Sequence, residues 1–343
     1  GWARGLRPAE GEPILAVGPR TQFPVFSAGK PLVAIAVALL EERGRLDVHA
    51  PVRETIPEFG VRGKEHITTL DVLTHRGGIL MPGFIQRPHE WADWEKVVDA
   101  ICAVRPSHRR GVLAYHPLEY GWVLAEIVRR VTGRPLPEFL DAEFLRPAGL
   151  ARLRFGITPA ELPSIARPYW LGPDDVYIAQ VNIASLFERA FALPEVTTAF
   201  VPGGGLVTDA AALSAFYDLL LAGGYSQTGR RVLGERTIAR YTARHVMGWC
   251  RSNRAPLAVG RGFLLGWPGP SLYGWQRGED CYGHAGLFCT VGFADRRTGL
   301  SAAIITNGNR GPADLIRRFI PLIGRLRSAC EDAGTLRLDW ARG

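Results

Sequence analysis

The chain has very little lysine. Of its 41 basic residues only Lys30, Lys64 and Lys96 are lysines, and the rest are arginines. Blocks of like charge are missing too, as are RNP-like and finger-like patterns, so a nucleic-acid partner is not expected. The formal charge of +8 then reads as arginine on a solvated surface, or as a basic face for an anionic substrate or an acidic carrier partner. No apolar run approaches the roughly 18 residues that cross a bilayer; the longest is 32–40, which excludes a membrane span by that route. Five cysteines (Cys102, Cys250, Cys281, Cys289 and Cys330) contain no CxxC pair, which excludes a disulfide or zinc framework. A reducing, cytoplasmic setting is the expectation, and no signal peptide is expected from the opening residues. The eight histidines form neither HExxH nor HxH, so neither metal nor cofactor is expected. There are no repeats or low-complexity tracts.

What is present is a large apolar fraction. Hydrophobic residues make up 47% of the 343 and charged residues 22%, enough to bury a substantial core. Segment 11–17 reads as a short strand. From Ser27 the pattern turns helical, and 32–40 is apolar on nearly every face, which marks a buried helix. Pro31 places its start near Ser27, because proline is tolerated only in a first turn, and Gly44 stops it. A short helix lies within 66–78. A longer one begins at Pro117 and ends at Gly133. Another runs 209–222, capped by Thr208 or Asp209 and stopped at Gly223-Gly224. Later the period becomes two: 287–294 and 300–306 read as strands joined by a turn, and a helix over 312–329 closes the chain. These elements predict an α/β (α+β) fold, an antiparallel sheet flanked by helices and built from both termini, with an inserted mainly helical domain. The expected division is 1–78 plus 256–343 for the sheet domain and 79–255 for the insertion.

Three short stretches could carry chemistry. In Ser27-Ala28-Gly29-Lys30 the lysine lies one helical turn beyond the serine, so its amine can reach the hydroxyl. Burial would lower the amine's pKa and let it take the serine proton, and the helix N-terminus favours developing negative charge. The alternative is a capping serine and a surface lysine. Tyr115-His116-Pro117 stands before a helix, where the tyrosine either packs or relays protons, if neighbouring cations lower its pKa. His284-Ala285-Gly286 leads into the strand expected at 287–294, whose unpaired N–H groups could meet a carbonyl oxygen. Trp91, Trp94, Trp170 and Tyr177 either rim the cleft as an acyl pocket or pack in the core. His75 and His116 read as hydrogen-bonded structural residues, and Cys281 and Cys289 as small core residues.

In this order the three stretches resemble the serine β-lactamase and penicillin-binding-protein superfamily, the SxxK serine hydrolases. Thr69-Leu70-Asp71-Val72-Leu73-Thr74-His75-Arg76-Gly77-Gly78 is similar to that family's LLTHTSG segment. Pro51-Val52, Pro57-Glu58-Phe59, Val131-Thr132-Gly133-Arg134-Pro135 and Gly203-Gly204-Gly205-Leu206 agree as well. The resemblance implies Ser27 as the acylated nucleophile, Lys30 as its base and Tyr115 as partner acid/base. It puts His284 where relatives carry a lysine, and the backbone N–H groups of Ser27 and Leu287 in an oxyanion hole beside Gly286. Pro117 replaces the asparagine of Tyr-x-Asn, and His-Ala-Gly replaces Lys-Thr-Gly. Both departures argue against an efficient β-lactamase.

The expected activity is therefore hydrolysis of a small-molecule carboxylic ester. The alternatives are acyl transfer from a thioester, on CoA or on an acidic acyl-carrier protein, to an alcohol or amine; hydrolysis of a D-amino-acid amide or peptide; and a catalytically silent binding module.

Overall fold

The computed structural model describes residues 17–332, apart from 191–192, 277 and 288. The expected strand 11–17 lies outside the described residues, save its last position. Helix α1 (Lys30–Glu42) follows a 3₁₀ turn, Phe26–Gly29, so regular helix begins three residues beyond Ser27, with Pro31 still in its first turn. Residues 30–40 are buried without exception, as an all-apolar helix must be. Helix α2 (Thr69–Leu73) is closed at its start by a capping box between Thr68 and Asp71. Helix α3 (Glu119–Thr132) packs across α1 and ends on left-handed Gly133. It starts two residues after Pro117, whose carbonyl is turned away to bond Lys30. Helix α4 (Ala210–Leu221) is capped by the Asp209 side chain, which accepts the N–H of Ala212.

The main sheet has six antiparallel strands: β1 (Val246–Cys250), β2 (Ala255–Val259), β3 (Leu264–Leu265), β4 (Cys281–Gly286), β5 (Thr290–Asp295) and β6 (Leu300–Ile305). Their order across the sheet is β6-β5-β4-β3-β2-β1. Helix α4 covers one face of β5 and β6, with Leu213 and Tyr217 against Gly292. On the other face Val291 and Phe293 join Phe319 and Ile323, from the helical run that ends in α5 (Ile320–Asp332). The alternation along β5 thus feeds two apolar layers.

Two expectations need correcting. The motif His284–Gly286 closes β4 rather than opening a strand at Leu287, and β5 begins only at Thr290. Leu287 sits in the hairpin at φ 36, a conformation no strand can hold. In addition, β1 lies in the sheet although the expected division assigns 246–250 to the insertion. All six strands come from 246–305, so no described N-terminal strand enters this sheet.

Candidate active site

The Ser27–Lys30 motif is built at the foot of the buried helix. Ser27 Oγ lies 2.8 Å from Lys30 Nζ. That amine also meets the carbonyl oxygens of Pro117 at 2.6 Å and Gly203 at 2.7 Å. Burial drives its pKa from 10.5 to about 7, only partly opposed by the carboxyl of Glu119. A displacement of that size is worth roughly 5 kcal/mol against the ammonium. A neutral amine has two N–H bonds and one lone pair. With two carbonyls taking the N–H bonds, the lone pair is left facing the Ser27 hydroxyl.

Tyr115 is held from several sides. Its phenol hydrogen-bonds Ser27. Its backbone N–H donates to Cys250 Sγ at 3.2 Å, and its carbonyl accepts from Ser252 Oγ at 2.9 Å, which ties it to the end of β1. From the opposite side His75 grips both neighbours: its carbonyl accepts the N–H of Ala114 at 2.9 Å and its Nδ1 accepts that of His116 at 3.1 Å. The His75 ring also lies 4.6 Å from the tyrosine ring. His75 does this from the left-handed region, φ 57, which a bulky residue holds only when its surroundings fix it. The structural reading of His75 and His116 thus has defined partners, His116 Nε2 accepting from Ile79 N–H at 3.3 Å.

The expected lowering by neighbouring cations is not found: the pKa of Tyr115 stands above its usual value. Burial dominates and pushes the phenol up, although the bond to Ser27 opposes it. At neutral pH it is a hydrogen-bond donor, not a phenolate.

His284 is buried, its ring 6.0 Å from that of Tyr115. Its Nδ1 donates to the carbonyl of Ala285 at 2.6 Å, and Nε2 has no hydrogen-bond partner among the described residues. Burial, and secondly the nearby Lys30, hold its pKa down to about 3, so the imidazole is neutral. Gly286 lies flat against the serine turn: a Cβ there would fall 1.9 Å from the carbonyl oxygen of Val25. Leu287 follows, its carbonyl accepting from Asn309 Nδ2.

A cleft of about 480 Å³ opens over these groups, lined by Ser27, Tyr115, His284 and Leu287. Trp91 and Tyr177 line it as well. Trp94 and Trp170 are not among its described walls: Trp94 stacks on Phe200 and donates to Glu126 at 2.9 Å, while Trp170 lies on a short strand paired with Gly308–Asn309. The sequence did not point to Trp267, which lines the cleft, or to Glu119. That carboxyl is buried, raised in pKa chiefly by burial, and accepts the N–H groups of Met81 at 2.5 Å and Leu118 at 3.1 Å. A glutamate on the first turn of an apolar helix was the signal available for it. A second hollow, about 790 Å³ near Glu41 and Arg240, carries ion pairs and, among its described lining residues, no serine, cysteine or lysine. Among the described residues no group of three His, Cys, Asp or Glu side chains could hold a metal, and no helix is long and apolar enough to cross a membrane.

A serine hydroxyl between a buried amine and a phenol, at the floor of a cleft, is the constellation of a serine hydrolase, and this protein is an enzyme of that class. Residues 2–323 match the Beta-lactamase family, and the chain belongs to it. It is 29% identical over 335 residues to the Esterase/beta-lactamase LipL of Mycobacterium tuberculosis, covering 90% of this chain and 75% of that protein. Esterase EstB of Burkholderia gladioli is 29% identical over 327 residues, with 87% and 81% covered. Among solved structures, a penicillin-binding protein homolog from Caulobacter crescentus superposes with a TM-score of 0.74 at 26% identity, covering 91% of this chain and 85% of that one.

Proposed function

We propose that the protein is a carboxylesterase that works through an acyl-enzyme on Ser27. The observation that carries this reading is the contact set of the Lys30 amine: one hydroxyl and two carbonyls, in a site dry enough to favour the neutral base. The amine takes the Ser27 proton as Oγ attacks the ester carbonyl. Negative charge on the carbonyl oxygen is met by the backbone N–H groups of Ser27 and Leu287. The neutral Tyr115 phenol protonates the departing alkoxide and regains its proton from the Lys30 ammonium. Water then enters by the reverse relay and releases the acid. The names of two relatives, one an esterase and one an esterase/beta-lactamase, support the ester as substrate.

Transfer of the acyl group to an alcohol or amine, from an ester or a thioester, is the second reading. The apolar cleft walls favour it, because they hold little water to compete with an organic acceptor. Intact-protein mass spectrometry after mixing with p-nitrophenyl butyrate tests both. The expected result is a butyryl mass gain in wild type and none in Ser27→Ala. Added alcohols then divide the product between acid and new ester. A folded wild type that gains no mass and turns over no ester or thioester would overturn the proposal.

A further inference from the structure

Among the described residues the cleft walls carry no formal charge. Its 36 described lining residues include no Asp, Glu, Lys or Arg, where the chain's 22% charged content would place about eight. Among the described lining residues, hydroxyl, amide and imidazole groups come from Ser27, Tyr115 and His284 at the floor, with Tyr177, Thr197, Asn253 and Ser271 beyond. His284 gives no cation, since its one ring N–H is directed to Ala285 and its surroundings hold it neutral. Lys30 is not among the described lining residues; its amine is buried and turned to Ser27 and two backbone carbonyls. A carboxylate brought into such a cleft loses its hydration and meets no counter-charge among the described lining residues.

We propose that the cleft accepts esters uncharged on both sides of the scissile bond, with an aliphatic acyl chain of medium length, and refuses acyl groups that bear a carboxylate. The proposal rests on the acyl-enzyme reading and specifies what that enzyme takes. An acetyl group leaves most of the 480 Å³ unused. Each methylene that comes to lie against walls such as Ile178, Leu186 and Trp267 should add about threefold to fourfold to kcat/KM until the space is filled.

The experiment compares p-nitrophenyl acetate, butyrate and hexanoate with mono-p-nitrophenyl adipate, whose six-carbon chain matches hexanoate but ends in a carboxylate. The expected outcome is a rise of at least about tenfold from acetate to hexanoate, with adipate on the order of 100-fold below hexanoate. A flat chain-length series, or adipate within about threefold of hexanoate, would overturn the proposal. Ile316 lines the rim and is 60% exposed, so Ile316→Arg introduces a cation without disturbing the core. It should narrow the gap between adipate and hexanoate about tenfold, and an unchanged ratio counts against the proposal. Calorimetric titration of ethyl hexanoate and monoethyl adipate into Ser27→Ala reads the same preference without chemistry. If Ser27→Ala retains turnover, the acyl-enzyme reading falls, while the binding preference still upholds or sinks the present proposal.

Discussion

At the scale of single residues, the proposed mechanism turns on the protonation state of Lys30. Only the unprotonated amine can take the Ser27 proton, so kcat/KM should fall about tenfold per pH unit below about 7 and level off above it. The other ionisable groups around Lys30 are displaced from that window or act through it. His284 and His116 are held down to about 3 and His75 well below its usual value, in each case first by burial; Tyr115 and Tyr120 are pushed up by burial. Glu119 is also raised, and a variant separates its contribution. Removing a carboxyl that favours the ammonium should lower the lysine's pKa, so Glu119→Gln is expected to move the acid limb to lower pH. Lys30→Met should remove the limb and cost about 10²–10⁴-fold in rate. Steady-state assays with p-nitrophenyl butyrate across pH 5.5–8.5 check this. A limb near 7 that persists in Lys30→Met would show that another group titrates.

At the scale of elements, close backbone approach positions the site, and it also explains which parts were legible in sequence. The start and stop of α1, the stop of α3 and the start of α4 could be read from Pro31, Gly44, Gly133 and Asp209, because a cap or a left-handed glycine acts locally. Strand β4 could not. Its Gly283 and Gly286 weaken strand propensity, yet a Cβ at either would strike backbone, Gly292 oxygen at 2.2 Å and Val25 oxygen at 1.9 Å. The feature that seats β4 against the serine turn is the one that erases its sequence signal. Gly121 in α3 makes the same kind of contact. A Cβ there would stand 2.2 Å from the nitrogen of Gly203, whose carbonyl accepts from Lys30. Within a helix alanine is preferred to glycine by roughly 0.5–1 kcal/mol, but overpacking costs about 1–3 kcal/mol, and backbone on both sides cannot step aside. Gly121→Ala should therefore lower stability and, by displacing Gly203, activity as well. Urea unfolding measures the first; an unchanged or raised midpoint would mean that α3 and the 201–205 segment separate freely.

At the scale of the whole molecule, the cleft is assembled from segments that sequence leaves far apart: 85–91, 177–207, 253–272 and 312–320. The Ser27, Lys30 and Tyr115 motifs were legible because each sits within a few residues of a helix start. The aromatic walls were not, since facing a cleft depends on how distant elements pack, and so Trp94 and Trp170 pack elsewhere while Trp267 faces inward. The wall from 312–320 leads directly into α5, and one buried ion pair ties α5 to the sheet. Arg327 Nε lies 2.6 Å from Asp295 Oδ2, with the two side chains 4% and 0% exposed. The same guanidinium donates to the carbonyls of Tyr273 at 3.3 Å and Trp275 at 3.2 Å. Arg327→Met leaves the Asp295 carboxylate buried and unpaired at the end of β5, a loss of about 3–5 kcal/mol. Replacing both partners, Arg327→Met with Asp295→Leu, should recover most of that loss, because it is the stranded charge that costs. Ile320 in α5 also lines the cleft, so the single variant should lose more activity on hexanoate than on acetate. Denaturation midpoints of the three proteins and the ratio of the two kcat/KM values test this. A single variant as stable as wild type would show that α5 is held by its apolar face alone.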